Sequence, residues 1–306
     1  MAVRRCCVAQ GRGGGTGAGD DPDARLTRYA EWLGLERSVV ELARGRTSDV
    51  VISRPLHQVW RFPRTEAGVS RLVLAAERTE AARALGLPGP EVLAVVPDQA
   101  PGRAHAVFRY LPGSGLTADV LAGLDEPARR RLCTDLAHLL GQLRSGRVSQ
   151  WPGPEIGWVE RWQLLAEHIR AEVLPGLAGA GRLLAEAELS AAVRAAHGAP
   201  AGLLHADLGS TNLLVDRIEG RLTGVLDWEG AGPGDPAVDL AAIRSTLDKD
   251  PRQPPLLSLL LDQDPALPVD LARAGAYLAT FALQEALHGA RTGDADAWAA
   301  GTARYR

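Results

Sequence analysis

Lysine is all but missing from this chain. Lys249 is the single one among 306 residues, and arginine carries the rest of the positive charge. With alanine and glycine abundant, that bias suits a GC-rich genome and says little about chemistry. Cysteine is scarce too. Cys6, Cys7 and Cys133 offer no spaced pairs for zinc, and their odd number argues for a reduced, cytoplasmic setting. No apolar run approaches the length of a membrane span, so no membrane partner is expected. Residues 1–24 lack the apolar stretch of a signal peptide, and their glycines neither follow a strand nor lead directly into a helix pattern. They read as a disordered Gly-rich tail rather than a phosphate loop. A net charge of −3 carries no nucleic-acid footprint. The charge is uneven, however: residues 201–306 hold nine Arg/Lys against fifteen Asp/Glu, leaving the first 200 residues net positive. An acidic C-terminal half suits a cationic small-molecule partner, and equally an ordinary solvated surface.

The length allows one large or two moderate domains with a substantial core. The organising stretch is Leu203–Leu240. Apolar Leu203-Leu204 leads into HADLGSTN (His205–Asn212), then apolar Leu213-Leu214-Val215. A second apolar run, Leu222–Leu226, ends in Asp227-Trp228-Glu229, and GAGPGDPAVDLAAI follows as a Gly/Pro loop entering a helix. Asp207, Asn212 and Asp227 are thereby delivered to the ends of short strands. Phosphoryl transfer from a nucleotide needs such a set: one carboxylate to take or orient a hydroxyl proton, and an amide with a second carboxylate to hold Mg²⁺ on the phosphates. Hard oxygen donors suit Mg²⁺, which keeps waters and phosphate oxygens as its other ligands. The order H-x-D-x-x-x-x-N, then an apolar strand ending in Asp, matches the protein-kinase catalytic and metal motifs.

HADLGSTN with VLDWEGAGPGDPAVDLA resembles the aminoglycoside phosphotransferase family and its choline-kinase-like relatives, which replace the kinase Phe-Gly after the metal Asp with Trp-Glu. The resemblance implies an α+β, bilobal protein-kinase-like fold. A small β-rich N-terminal lobe at about 25–112 would bind nucleotide, and a larger, mainly helical C-terminal lobe at 113–306 would carry catalysis and the acceptor. It also implies ATP or GTP as phosphoryl donor, Mg²⁺, Asp207 as the catalytic carboxylate, and Asn212 and Asp227 as metal ligands. His205 has three readings: base, metal ligand, or prop of the catalytic loop. The prop is favoured, because kinase-type motifs use the corresponding His structurally, and no spaced histidines support a metal site. Asp239 is expected to anchor that loop or cap the helix behind it.

In the N-terminal half, Ser38–Leu42, Asp49–Ser53 and His57–Phe62 read as β-runs after a helix from Asp23. Gly45-Arg46-Thr47-Ser48 lies where kinases place the loop over the phosphates, and its small Thr47 and Ser48 would permit backbone approach; an ordinary hairpin turn is an equal reading. On the strand where kinases place a phosphate-binding lysine, this chain has Val59-Trp60-Arg61-Phe62-Pro63-Arg64, so Arg61 is the candidate replacement. A long helix follows, Glu66–Leu85. Glu77 and Glu80 share one of its faces, and by the kinase precedent one of them pairs with Arg61, the spacing favouring Glu77. Glu91–Val96 and Ala104–Tyr110 read as strands. Tyr110-Leu111-Pro112-Gly113 resembles the inter-lobe linker, so by that resemblance the backbone from Phe108 through Tyr110 to Leu111 would read adenine.

The remainder reads as helical: Glu126–Leu143, Val159–Val173, Gly181–Ala196, Leu271–Ala290 and Asp294–Arg304. The run TFALQEALHGARTGD resembles the branch acting on cyclic peptide antibiotics of the viomycin and capreomycin type. Asp248, Asp250, Glu285, Asp294 and Asp296 are candidate acids for ammonium groups, or simply surface acids. The function expected is O-phosphorylation of an antibiotic hydroxyl. The alternatives are a metabolic hydroxyl kinase (choline, homoserine or sugar) and a nucleotide-binding pseudokinase.

Overall fold

Twelve residues with Asp21 capping their start and Gly34 closing their end in the left-handed region (φ 67°) form the first helix, α1 (Pro22–Leu33). The structure, a computed structural model, describes residues 21–45, 48–98, 103–146, 151–153, 157–200, 202–247 and 256–306. The rest of the expected Gly-rich tail lies outside them. A 3₁₀ turn, Arg37–Val39, takes the first part of the expected Ser38–Leu42 strand, so β1 is Glu41–Arg44. Next come β2 (Ser48–Ser53), β3 (Gln58–Pro63), α2 (Glu66–Ala84), β4 (Val92–Val96) and β5 (His105–Arg109). The Thr65 hydroxyl accepts from Gly68 N to start α2. The five strands form an antiparallel sheet in the order β1-β2-β3-β5-β4.

Strand alternation decides what each face of this sheet carries. Trp60 and Phe62 of β3 join Val51 and Val107 in packing against Leu26, Tyr29 and Ala30 of α1. Ala106 packs with Leu72 and Val69 of α2. Arg61, between Trp60 and Phe62, is therefore pushed to the face opposite the α1 core.

Beyond β5 come β6 (Ser114–Gly115), α3 (Ala118–Gly123), α4 (Glu126–Ser145), α5 (Trp158–Glu172), α6 (Gly179–His197), β7 (Gly202–Leu204), β8 (Leu213–Val215), β9 (Leu222–Val225) and β10 (Gly232–Gly234). The chain ends with α7 (Ala237–Leu247), α8 (Leu256–Gln263), α9 (Leu267–Ala279), α10 (Phe281–Thr292) and α11 (Ala295–Thr302). The compact units are not contiguous in sequence. One joins the described residues up to Asp135 with Ser210–Ala231; the other joins Leu136–Gly209 with Gly232–Arg306.

In the first unit, β6, β8 and β9 form a second antiparallel sheet. In the second unit, Ile169, Leu189, Leu283, Leu287 and Tyr305 centre a helical core. Departures from the sequence reading fall there, and helix α8 is one of them. The expected Gly/Pro loop after Gly230 contains a strand, β10, which pairs with β7; a side chain at Gly234 would collide with Leu204 and Trp158, so only glycine allows this approach. The expected Leu271–Ala290 helix breaks at buried Thr280, whose N–H and hydroxyl both turn to the Tyr277 carbonyl (3.0 and 2.7 Å). The α+β class with a small antiparallel sheet and helical remainder stands.

Candidate active site

The loop after β7 carries Asp207, and its backbone is under strain. Ala206 takes a left-handed conformation (φ 71°), which costs a non-glycine residue about 1–2 kcal/mol. Asp239, fully buried at the start of α7, compensates: its two oxygens accept from His205 N (2.6 Å) and Ala206 N (2.9 Å). His205 is buried as well, and its Nδ1 accepts from Asp207 N at 3.2 Å. That fits the prop reading. Asp207 itself is exposed. Burial pushes the Asp239 carboxyl up to about 7, against the two backbone donors, with the charges of Asp207 and Asp235 adding to the rise.

Asp235 binds within the helical unit. It is buried, accepts from Arg273 Nε (2.8 Å) and Tyr277 Oη (2.9 Å), and holds Ala237 N (3.0 Å) at the head of α7. Burial, with the Asp235 charge, pushes the Tyr277 hydroxyl up. Its ring stacks on Trp162 at 4.7 Å.

The second carboxylate, Asp227, sits in the first unit at the end of β9. It too is left-handed (φ 63°) and opens a 3₁₀ turn, Trp228–Gly230. Trp228 holds this turn: it is buried, and its Nε1 donates to Val225 O at 3.0 Å. Asn212 is tied alongside, because its carbonyl accepts from Leu226 N at 2.8 Å. Among the described residues no cluster of three or more His, Cys, Asp or Glu side chains offers a ready-made metal cage. One amide oxygen and one carboxylate fit Mg²⁺, whose remaining ligands are water and phosphate oxygens. The Asp227 carboxylate already faces a cation: Arg61 Nη1 donates to its Oδ1 at 3.0 Å.

Arg61 departs from the expected pairing. Its carboxylate partners are Asp227 and Glu229, the latter accepting from Nη2 at 2.9 Å; no bond reaches Glu77. Burial alone would lower the Arg61 guanidinium, but these two acids outweigh it and hold it above its ordinary value. Glu77 lies on the exposed face of α2 and makes no hydrogen bond or ion pair among the described residues. Glu80 instead bonds Arg83 (3.1 Å) and Val92 N (2.9 Å). Arg71 and Arg78 complete the Arg61 environment: Arg71 Nη1 lies 3.6 Å from Glu229 Oε1, and Arg78 Nη1 donates to the Glu229 carbonyl at 2.5 Å. The sequence reading assigned no role to Glu229, although the Trp-Glu following Asp227 was its visible signal.

Ser48 begins β2, is buried, and accepts from Arg61 Nε at 3.3 Å. Thr47 lies outside the described residues. At the end of β5, Arg109 N and Tyr110 N donate to Glu91 O and His57 O (both 2.9 Å). Phe108, on β5, pairs with Val59 and Val92 on either side. The Tyr110 hydroxyl accepts from Arg54 Nη1 at 2.5 Å. Among the described residues, Leu111 N–H has no acceptor. Leu111 lies against Gly224 of β9, where a Cβ would collide with it. Of the candidate acceptor-binding acids, Asp294 caps α11, accepting from Ala297 N at 3.0 Å. Asp296 and Glu285 are exposed, and Asp248 and Asp250 lie outside the described residues.

A paired sheet under α2, a strained catalytic-type Asp loop and an Asp-Trp-Glu turn define a kinase-like phosphotransferase. The model of the phosphotransferase enzyme family matches residues 38–277, and the chain belongs to that family. It is 34% identical over 275 residues to viomycin phosphotransferase of Streptomyces vinaceus, covering 86% of this chain and 91% of the relative. Among solved structures, the GDP complex of aminoglycoside 2′-phosphotransferase-IIIa superposes with a TM-score of 0.72 at 19% identity, covering 86% of this chain and 90% of that one. A macrolide 2′-phosphotransferase from Brachybacterium faecium superposes with a TM-score of 0.67 at 20% identity, covering 92% and 97%. These likenesses establish the fold.

Proposed function

We propose that this phosphotransferase moves the γ-phosphoryl group of a nucleoside triphosphate onto a hydroxyl of an antibiotic, of cyclic peptide or aminoglycoside type. The observation that carries the reading is the clamped loop. Buried Asp239 holds a strained turn whose next residue, Asp207, is an exposed carboxylate. Strain of this kind persists where the surrounding structure over-determines it, characteristically at functional sites.

In this reading Asp207 accepts the acceptor hydroxyl's proton as that oxygen bonds to the γ-phosphorus. The bond from phosphorus to the β,γ-bridging oxygen breaks, and the nucleoside diphosphate leaves. Asn212 and Asp227 would hold Mg²⁺, which supplies charge neutralisation on the phosphates when bound. Arg61 binds phosphate oxygens through its fork of donors. Ser48 sits beside it, with Thr47 assigned to the same phosphate loop. The base is read by the linker after Phe108, and because Arg109 N and Tyr110 N are already engaged, Leu111 N–H is the donor assigned to it. The lobe boundary is placed in this linker, near residue 112. Positioning and electrostatics supply most of the rate.

The acceptor is read as cationic because residues 201–306 are net acidic, and the setting is read as the cytoplasm. No helix among the described residues is long and apolar enough to cross a membrane. The test is mass analysis of small molecules incubated with protein, Mg²⁺ and ATP or GTP. The panel holds cyclic peptide antibiotics, aminoglycosides, macrolides, choline, homoserine and simple sugars. A phosphorylated cyclic peptide or aminoglycoside is expected; phosphorylation confined to choline, homoserine or a sugar would replace this reading with a metabolic one.

A further inference from the structure

Glu229 is held from three directions within the first unit. Its Oε2 accepts from Arg61 Nη2 at 2.9 Å, its Oε1 lies 3.6 Å from Arg71 Nη1, and its main-chain carbonyl accepts from Arg78 Nη1 at 2.5 Å. Buried Trp228 fixes the turn that aims it, and a side chain at Gly89 would press on the Trp228 indole at 3.0 Å. Arg71 and Arg78 stand seven residues apart, on one face of α2. The helix therefore brings guanidinium groups to this place, where the kinase pattern brings a positioning acid.

The two acids on Arg61 differ in what else they must do. In the proposed mechanism Asp227 turns to a metal ion when nucleotide binds, and Arg61 then loses that partner. Glu229 has no such second task, and Arg78 holds its main-chain carbonyl independently of Arg61, with Arg71 nearby at 3.6 Å. We infer that Glu229 is the positioning residue that holds Arg61 for the nucleotide phosphates, in place of a glutamate on α2. This rests on the reading that Arg61 binds those phosphates. The Asp-Trp-Glu turn thus carries two functions two residues apart: a metal-type carboxylate at Asp227 and an arginine anchor at Glu229. An arginine here needs the anchor more than a lysine would, because its fork binds phosphate well only when its plane is oriented.

The test is calorimetric binding of ADP with Mg²⁺, without acceptor, to five proteins: wild type, Glu229→Gln, Glu77→Gln, Arg61→Ala and the Arg61→Ala/Glu229→Gln double variant. Melting temperature reports folding. Glu229→Gln is expected to weaken binding about tenfold, the effect of losing one charge-assisted bond's worth of orientation. Glu77→Gln is expected to bind as wild type does. The double variant should bind no more weakly than Arg61→Ala, because Glu229 acts through Arg61. Full-strength binding by Glu229→Gln, with Arg61→Ala weakened, would overturn the inference while leaving the role of Arg61 intact. Additive losses in the double variant would overturn it as well. Wild-type binding by Arg61→Ala would instead remove the phosphate role of Arg61 itself. Should Glu229→Gln fail to fold, Glu229→Asp keeps the charge but shortens the reach; it is expected to weaken binding, and wild-type affinity there would count against the anchor.

Discussion

Asp239 sets the terms at the scale of single residues. A carboxyl buried this completely favours its protonated form, yet the loop it clamps is gripped best by an ionised one. With its pKa pushed up to about 7, the folded protein retains a proton that the unfolded chain has already released above about pH 4. The sign follows: between about pH 4 and 7 the folded state binds more protons, so this residue's contribution to stability falls as pH rises through that window. The expected outcome is a urea midpoint that declines from pH 5 to pH 8 in wild type relative to Asp239→Asn. A pH-independent difference between the two would show that Asp239 ionises in the native protein as it does in the unfolded chain. The same substitution keeps one acceptor oxygen but sets its N–H₂ against the other backbone donor, so it should also cost activity at every pH.

At the scale of elements, the sheet's first strands depend on a buried ion pair that the sequence did not advertise. Asp49 of β2 accepts both oxygens' worth of hydrogen bonds from Arg25 Nη1 of α1 (3.0 Å each), and one more from Tyr29 Oη at 3.1 Å. Burial, with the Asp49 charge, pushes the Tyr29 hydroxyl up to about 12, so it stays a donor. Arg64, after β3, adds a bond to Gly45 O at 3.1 Å. Removing one partner of such a pair strands the other; Asp49→Ala is expected to cost about 3–5 kcal/mol of stability, read from urea denaturation. A loss within about 0.5 kcal/mol would mark the pair as dispensable.

Much of this level was legible. Helical periodicity placed α2 and α4, because single apolar stripes survive in sequence. The HADLGSTN and Asp-Trp-Glu motifs placed Asp207, Asn212 and Asp227 at strand ends. Less legible was anything that a contact between distant segments decides. Glu77 and Glu80 share a face, and spacing favoured Glu77, but the acids that meet Arg61 lie 166 and 168 residues away. β10 was hidden because its three residues are Gly-Pro-Gly, chosen for close approach and not for strand propensity. The break at Thr280 was hidden for the converse reason. Its neighbours keep helical spacing on both sides, and the break shows only in Thr280's turn of its N–H and hydroxyl to Tyr277 O.

For the whole molecule, the division into two compact units sorts the proposed roles. Ser48, Arg61, Phe108, Tyr110, Asn212, Asp227 and Glu229 belong to one unit, and Asp207 with its clamp Asp239 belongs to the other. Nucleotide binding is thus assigned to a unit that does not contain Asp207. Two consequences are measurable. A cationic acceptor drawn by the acidic C-terminal half should show a KM that rises with salt, since screening weakens attraction between exposed charges; a KM indifferent to salt would argue for a neutral acceptor. The central claim is tested most directly by a single turnover of the antibiotic acceptor found in the mass screen with stoichiometric ATP and Mg²⁺, on wild type and on Asp207→Asn. The account predicts a phosphorylated antibiotic from wild type. In the variant it predicts a rate lower by about 10²–10⁴-fold with ADP affinity unchanged, the range for removing a positioned general base. Transfer at the wild-type rate by Asp207→Asn would contradict it.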